Sequence, residues 1–334
     1  MLVFLLSLFS TYFPDSSSTI VINSRFTPVS GCYYVTSSVF KGLSGSAKGG
    51  AIFIETSIYT RLVVEESYFE SCSSSTNGGA IGFLCSSQGG CAINKVCGYL
   101  CQTGPTSYNN GGQFCDLSTS SSSKGILESV SVLRCPLTYS NGQQGGILVR
   151  DGHAKVHLVN SSFNTADAYS SFVTSALLSL IVSYSTLSDC STSSYICIGF
   201  IHQTCPASFT KTNIVNNTSP DSSYGVFYAE SCSQYININE TVFHNNKIVS
   251  FAVSASYFYI KNSYISSSSN TKYIFSGVIN IDGSQVYTQT YAHHHFASKE
   301  CKGVDFKIQS YKFLNAHYRI KAQIPILLLL SVNS

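Results

Sequence analysis

Three groups of side chains in this sequence have the residue types for chemistry, and each has a plainer role beside it. Glu65, Glu66 and Glu70 set three carboxylates close together. Grouped carboxylates are what acid–base hydrolysis or calcium-assisted cleavage of acidic sugars requires. Here they fall at outward or corner positions, without a matching set elsewhere, and read as a solvated face. Arg150, Asp151, Gly152 and His153, followed by His157, combine a cation, an acid and a base. The same run reads as a tight turn with glycine at its centre, leading into a strand from which His157 points outward. His293, His294 and His295 are consecutive, with no carboxylate or thiol beside them. Consecutive side chains do not converge on one metal ion, so this run reads as an exposed loop. GxSxG, HExxH and P-loop patterns do not occur in the sequence. The residues therefore give no catalytic assignment, no metal ligand set and no cofactor.

Two kinds of covalent chemistry remain. Asn160, Asn216, Asn217 and Asn239 each open an Asn-x-Ser/Thr sequon, the acceptor of a glycan on an exposed loop. The chain also carries thirteen cysteines, none of them in a CxxC pair. That pattern speaks against zinc ribbons and thioredoxin-like sites, and for disulfides in an oxidising compartment beside some buried thiols. Cys85, Cys91, Cys97, Cys101 and Cys115 crowd together and are the disulfide candidates.

What must position these residues is a repeat. The pattern apolar, any, apolar, two residues, Ser or Thr, any, apolar recurs along the chain. It runs as Tyr33, Val35, Ser38, Phe40, then as Leu62, Val64, Ser67, Phe69. Later copies include Val156, Leu158, Ser161, Phe163; Ile236, Ile238, Thr241, Phe243; and Phe258, Ile260, Ser263, Ile265. A last copy, Phe306, Ile308, Tyr311, Phe313, has Tyr in the hydroxyl place. Period-two alternation directs apolar side chains to one face, and the two-residue gap shifts the phase, so a bend must lie there. The hydroxyl inside the bend is placed to bond nearby backbone. A second element follows each bend: Gly49-Gly50-Ala51-Ile52, Gly78-Gly79-Ala80-Ile81, Gly111-Gly112-Gln113-Phe114 and Gly145-Gly146-Ile147-Leu148. Its glycines permit positive φ at a corner.

Two bends and about three strands in each period make one coil of a solenoid. The fold expected is all-β, a single right-handed parallel β-helix of roughly eleven coils, on the order of 50 Å long at the usual strand spacing. Residues 1–18 read as an export signal and linker, residues 19–316 as the β-helix, and residues 317–334 as a C-terminal tail or cap. Thr19 to Phe26 reads as a short capping strand. Residues 85–115 read as a disulfide-pinned insert leaving the rod. A β-sandwich would show turn signals every 8–12 residues instead.

The Gly-Gly-Ala-Ile tetrads, with Phe243-His244-Asn245-Asn246 and Ile214-Val215-Asn216-Asn217, resemble the GGAI and FxxN repeats of chlamydial polymorphic outer-membrane proteins. Related repeats occur in surface-protein families of parasitic protists, and the Cys- and Ser-rich style here is closer to those. In this chain FxxN often becomes Phe-x-x-Cys (Phe69 to Cys72) or Leu-x-x-Cys (Leu187 to Cys190). The resemblance covers roughly residues 30–315 and implies a β-helical surface protein or adhesin-like passenger; the family's C-terminal membrane barrel has no counterpart in it.

Composition agrees with a surface role. Charged residues make up 10% of the chain, against about 25% in ordinary soluble proteins, so the polar surface must be Ser, Thr, Asn, Gln and Tyr. A net charge of +3 without a basic cluster speaks against nucleic acid as a partner. The apolar run Met1 to Phe9 suits a signal-peptide core and is too short to span a bilayer. Membrane contact would then require a missing or removed segment. The function expected is a secreted or cell-surface adhesin or display scaffold, non-catalytic, whose partner is a host-cell or matrix glycan or protein. The alternatives are a polysaccharide lyase or hydrolase on the same scaffold, and a structural or decoy fragment with no site of its own.

Overall fold

The computed structural model describes residues 25–283, apart from 105–110, 137–144, 203–205, 221–222, 248, 267–268 and 270–271, together with Tyr12, 19–21 and Tyr291. The sequence expectations for Met1 to Phe9, His293 to His295, the last repeat copy and the tail at 317–334 lie outside the described residues.

The chain is a parallel β-solenoid with three faces, and strand-to-strand pairing between successive coils is parallel throughout. On the first face Gly31–Thr36 pairs with Thr60–Glu65, which pairs with the first half of Gly89–Tyr99. The ladder continues through His153–His157, Ser179–Ser183, Ala207–Thr210 and Tyr235–Asn239. The second face starts with Val39–Lys41 on Tyr68–Glu70, and the third with Ile52–Thr56 on Ile81–Cys85. Thr19–Val21 pairs with Tyr33 to Val35, as expected of a capping strand.

The two-residue gap of the repeat is a left-handed corner. Ser37, Glu66, Lys95, Ser129, Leu158, Tyr184, Lys211, Glu240 and Asn262 occupy it, with φ between 46° and 54°. The hydroxyl after the corner ties coils together. Ser67 Oγ accepts the Ser38 amide at 3.2 Å and donates to the Glu65 carbonyl at 2.7 Å. Ser185 and Ser263 do the same for Val159 and Thr241.

The Gly-Gly pairs meet two different demands. Gly49, Gly78 and Gly112 have φ of 59° to 65°, so each turns a corner. At Gly50 and Gly79 a Cβ would lie 2.3 and 2.1 Å from a carbonyl oxygen of the next coil, so only glycine fits there. Cys115 shares a rung with Ile81 and Ile147. The third and fourth tetrads are therefore one residue out of register with the first two, with Gln113 in the place of Gly79.

The interior is one continuous apolar column from Val35 to Ile279. One stretch of it is aromatic: the Phe227 ring centroid lies 4.9 Å from Phe200, 5.2 Å from Phe258, 5.4 Å from Phe209 and 5.7 Å from Phe243. Phe69 and Phe243 are fully buried, but Phe163 is 42% exposed and turns the second corner, with φ 57°. The true inward set in that coil is Ala154, Val156, Val159 and Ser161, because Ser161 pairs with Val132 and Leu187. In the coil before it the inward set includes Leu127, Val130 and Val132.

Two further expectations change. The number of complete coils is smaller than the roughly eleven expected, since Thr19–Val21 supplies one face only, and the copies read at Ile279, Ile281, Ser284, Val286 and at Phe306, Ile308, Tyr311, Phe313 run into or lie among residues outside those described. The described residues of 85–115 stay on the rod: Gly89–Tyr99 spans the first two faces in register with its neighbours, and Cys115–Thr119 is a third-face strand. The segment looked irregular because Gly98 takes the inward place held by Phe69 one coil earlier. The Phe114 ring fills the space, since a Cβ on Gly98 would come within 2.2 Å of it.

Candidate functional site

The outer side of the first face carries three columns of side chains, one per outward strand position. Over its first coils this surface is sealed. Tyr34, Val63 and Ala92 point outward yet are buried, and Tyr12 packs on them. Tyr12 lies in the segment read as leader and linker, and it contributes to the folded surface.

Further along, the same surface is open and changes chemistry. His153 and His157 each present Nδ1 to a serine on the next coil, Ser179 at 2.8 Å and Ser183 at 2.9 Å. His157 meets the edge of Tyr184, whose ring also faces Lys211 Nζ at 5.6 Å. Beyond these, Tyr235 stacks on Tyr257 at 5.3 Å with a 46° tilt, and the two are 54% and 37% exposed. Beside them in register stand Asn237, Tyr259 and Asn280, and then Asn239, Lys261 and Asp282. The Lys261 ammonium sits 4.5 Å over the Tyr259 ring. The result is a surface of phenol rings and amides edged by one lysine and one aspartate. Each ring is fixed by a strand whose inward neighbours, Ile236, Phe258 and Ile260, are buried.

The enzyme-like groups do not converge. Arg150 turns to Asp116, with Nη2 to Oδ2 at 2.6 Å and Nε to Oδ1 at 3.2 Å, while Asn77 donates to the same carboxylate at 2.8 Å. Burial pushes the Asp116 carboxyl up against the opposing pull of that guanidinium. Asp151 accepts from Ser118 at the third corner, while His153 and His157 stand on the first face. Glu65, Glu66 and Glu70 also separate. Glu66 is an exposed corner residue bonded to Lys95. Glu65 and Glu70 are buried rather than solvated: Glu65 accepts from Tyr34 and Asn94, and Glu70 pairs with Lys41. An open cleft of about 720 Å³ runs along the third corner, lined by hydroxyls with Glu55 and Asp151. Glu55 is paired with Lys48 at 2.7 Å. Among the described residues no cluster of His, Cys, Asp and Glu is arranged to hold a metal.

The modification residues divide by burial. Asn217 lies inside the rod, bonded to Asn246 and to the Cys190 amide and Leu187 carbonyl, and Asn160 is 3% exposed. A glycan on either has no room in the folded coil. Asn216 at a corner and Asn239 at the end of a first-face strand are both half-exposed. Of the disulfide candidates, Cys85, Cys91, Cys101 and Cys115 are buried thiols in the folded chain. Burial raises the pKa of Cys91, Cys101 and Cys115. Cys97 points outward and is covered with Tyr68 and Leu133.

Sequence reasoning found His157 and missed the tyrosine platform. Its signal was present all the same: Tyr259 occupies an "any" place of its repeat, and Tyr235 and Tyr257 stand one residue before the first apolar residue of theirs, where period-two alternation also puts solvent-facing residues. No protein-family model, curated protein or solved structure matches this chain.

Proposed function

We propose that this protein is a secreted or cell-surface recognition scaffold of the adhesin type, non-catalytic, that binds glycans on a host-cell or matrix surface through the open part of its first face. One observation carries the reading: Tyr235 and Tyr257 are displayed side by side on one sheet face, and Tyr259 stands next to them flanked by Asn237 and Asn280. Tyrosine offers a large apolar ring and a polar tip at low entropic cost, which is why it dominates recognition surfaces. Sugar rings present an apolar C–H face and a rim of hydroxyls, so rings and amides together satisfy both. The weak charge of the chain suits a neutral ligand better than an anionic one.

The test is a glycan array and a cell-binding assay with the full chain and with Tyr235→Ala/Tyr257→Ala. Wild type should bind a defined glycan set, and the double variant should lose at least tenfold in affinity with an unchanged melting temperature. Wild-type protein that binds neither cells nor any glycan, or a double variant that binds as well as wild type, overturns the reading. The polysaccharide-cleaving alternative would have to use the cleft at Glu55 and Asp151. A reducing-end assay on acidic and neutral polysaccharides, with Asp151→Asn as control, tests it.

A further inference from the structure

Cys72, Cys101 and Cys135 stand at one position of three successive coils, just past the second corner. The register is fixed on both sides of Cys101: Tyr99 pairs with Glu70 and with Leu133, and Gln102 pairs with Ser73. All three thiols are fully buried. They also bond alike. Cys72 Sγ lies 3.5 Å from the Phe40 carbonyl and Cys101 Sγ 3.7 Å from the Phe69 carbonyl, each in the coil before its own. The Cys101 amide donates to Cys135 Sγ at 3.2 Å. The column continues as Asn164, Cys190, Asn217 and Asn246, where the Cys135, Cys190 and Asn217 amides are taken up by the asparagine oxygen of the following coil. Cys190 thus has asparagine on both sides, and only the first three cysteines stack sulfur on sulfur.

We propose that this column is a cross-linking site in which Cys101 forms a disulfide with either Cys72 or Cys135, the third cysteine remaining a thiol. Neighbouring coils lie about 4.8 Å apart, inside the Cα separation of about 4.4–6.8 Å that a disulfide tolerates. Cys72 and Cys135 stand two coils apart, at about twice that spacing, and cannot reach each other. Cys101 is therefore obligatory. The chemistry needs a small disulfide such as oxidised glutathione. One protein thiolate attacks it and expels a reduced thiol. The second protein thiolate then attacks the sulfur of the mixed disulfide on its neighbour and expels the other. Two protein thiols lose two protons and two electrons, and one oxidant disulfide is reduced to two thiols. Because the finished rod seals the column from solvent, the reaction belongs to folding, while the coils are still stacking.

The test is to unfold and reduce the full chain, refold it in a glutathione redox buffer, alkylate the free thiols and map the peptides without reduction. Wild type should give Cys72–Cys101 and Cys101–Cys135 peptides as alternatives. Cys72→Ser should leave only the second, Cys135→Ser only the first, and Cys101→Ser neither. A refolded wild-type chain with a native circular-dichroism spectrum and all three cysteines alkylated overturns the proposal. So does a Cys72–Cys135 peptide. The wild-type map decides even if a variant fails to fold.

Discussion

Removing the Asn217 side chain tests whether the internal asparagine column holds coils together. Asn217 is fully buried. Its Oδ1 accepts the Cys190 amide at 3.0 Å, and its Nδ2 donates to the Leu187 carbonyl at 2.9 Å and to Asn246 Oδ1 at 3.2 Å. Asn217→Ala orphans a backbone donor and a backbone acceptor where no water reaches, at about 1–3 kcal/mol each. The expected loss is roughly 2–5 kcal/mol. Asn217→Cys should lose about half as much, because a thiol at this place already does both jobs elsewhere: Cys135 Sγ accepts the Cys101 amide and Cys101 Sγ reaches the Phe69 carbonyl. The assay is urea denaturation under reducing conditions, with protein made in a host that does not N-glycosylate. An alanine variant within about 1 kcal/mol of wild type, or a cysteine variant no better than alanine, would refute the argument.

Phe227→Ala, at the centre of four aromatic contacts, should cost about 3–5 kcal/mol and raise hydrogen exchange first in the coils around Phe200, Phe243 and Phe258. Arg150→Met strands the buried Asp116 carboxylate, with an expected cost of about 3–5 kcal/mol at neutral pH. The Asp116 carboxyl is raised in the folded state, so the native chain holds that proton to a higher pH than the unfolded chain. The variant's stability should therefore fall as pH rises through the raised folded value and recover below the ordinary carboxyl range, as chemical denaturation across pH will read. Deleting residues 1–18 removes Tyr12 from the outward patch of Tyr34, Val63 and Ala92. The truncated chain should bind a hydrophobic dye that the full chain does not.

The repeat was legible wherever inward places hold large apolar residues. Phe40, Phe69 and Phe243 mark their coils without ambiguity, and all three are buried. It misled wherever an inward place is small and a corner is large. Ala154 and Ser161 face the interior, whereas Leu158 and Phe163 take left-handed corners. Hydrophobicity alone then sets the repeat two positions late, keeping Val156 and Ser161 but taking Leu158 and Phe163 in place of Ala154 and Val159. The left-handed corners themselves leave no compositional trace, since Ser, Glu, Lys, Leu and Tyr all occupy them. The stacking geometry imposes that conformation, overriding the preference for glycine or asparagine. The placement of the cysteines was hidden for a related reason. Crowding in sequence suggested a pinned loop, whereas the folded neighbours of Cys101 stand one coil away on either side, at Cys72 and Cys135.

The parallel ladders also bear on mechanics. Hydrogen bonds between coils point along the rod, so a pull on its two ends loads them one rung at a time. Each coil released from Gly31 to Thr60 would free 29 residues of chain, roughly 100 Å of contour at about 3.4 Å per residue. Under tension such a molecule lengthens in repeated small steps, a useful property in anything that tethers one surface to another.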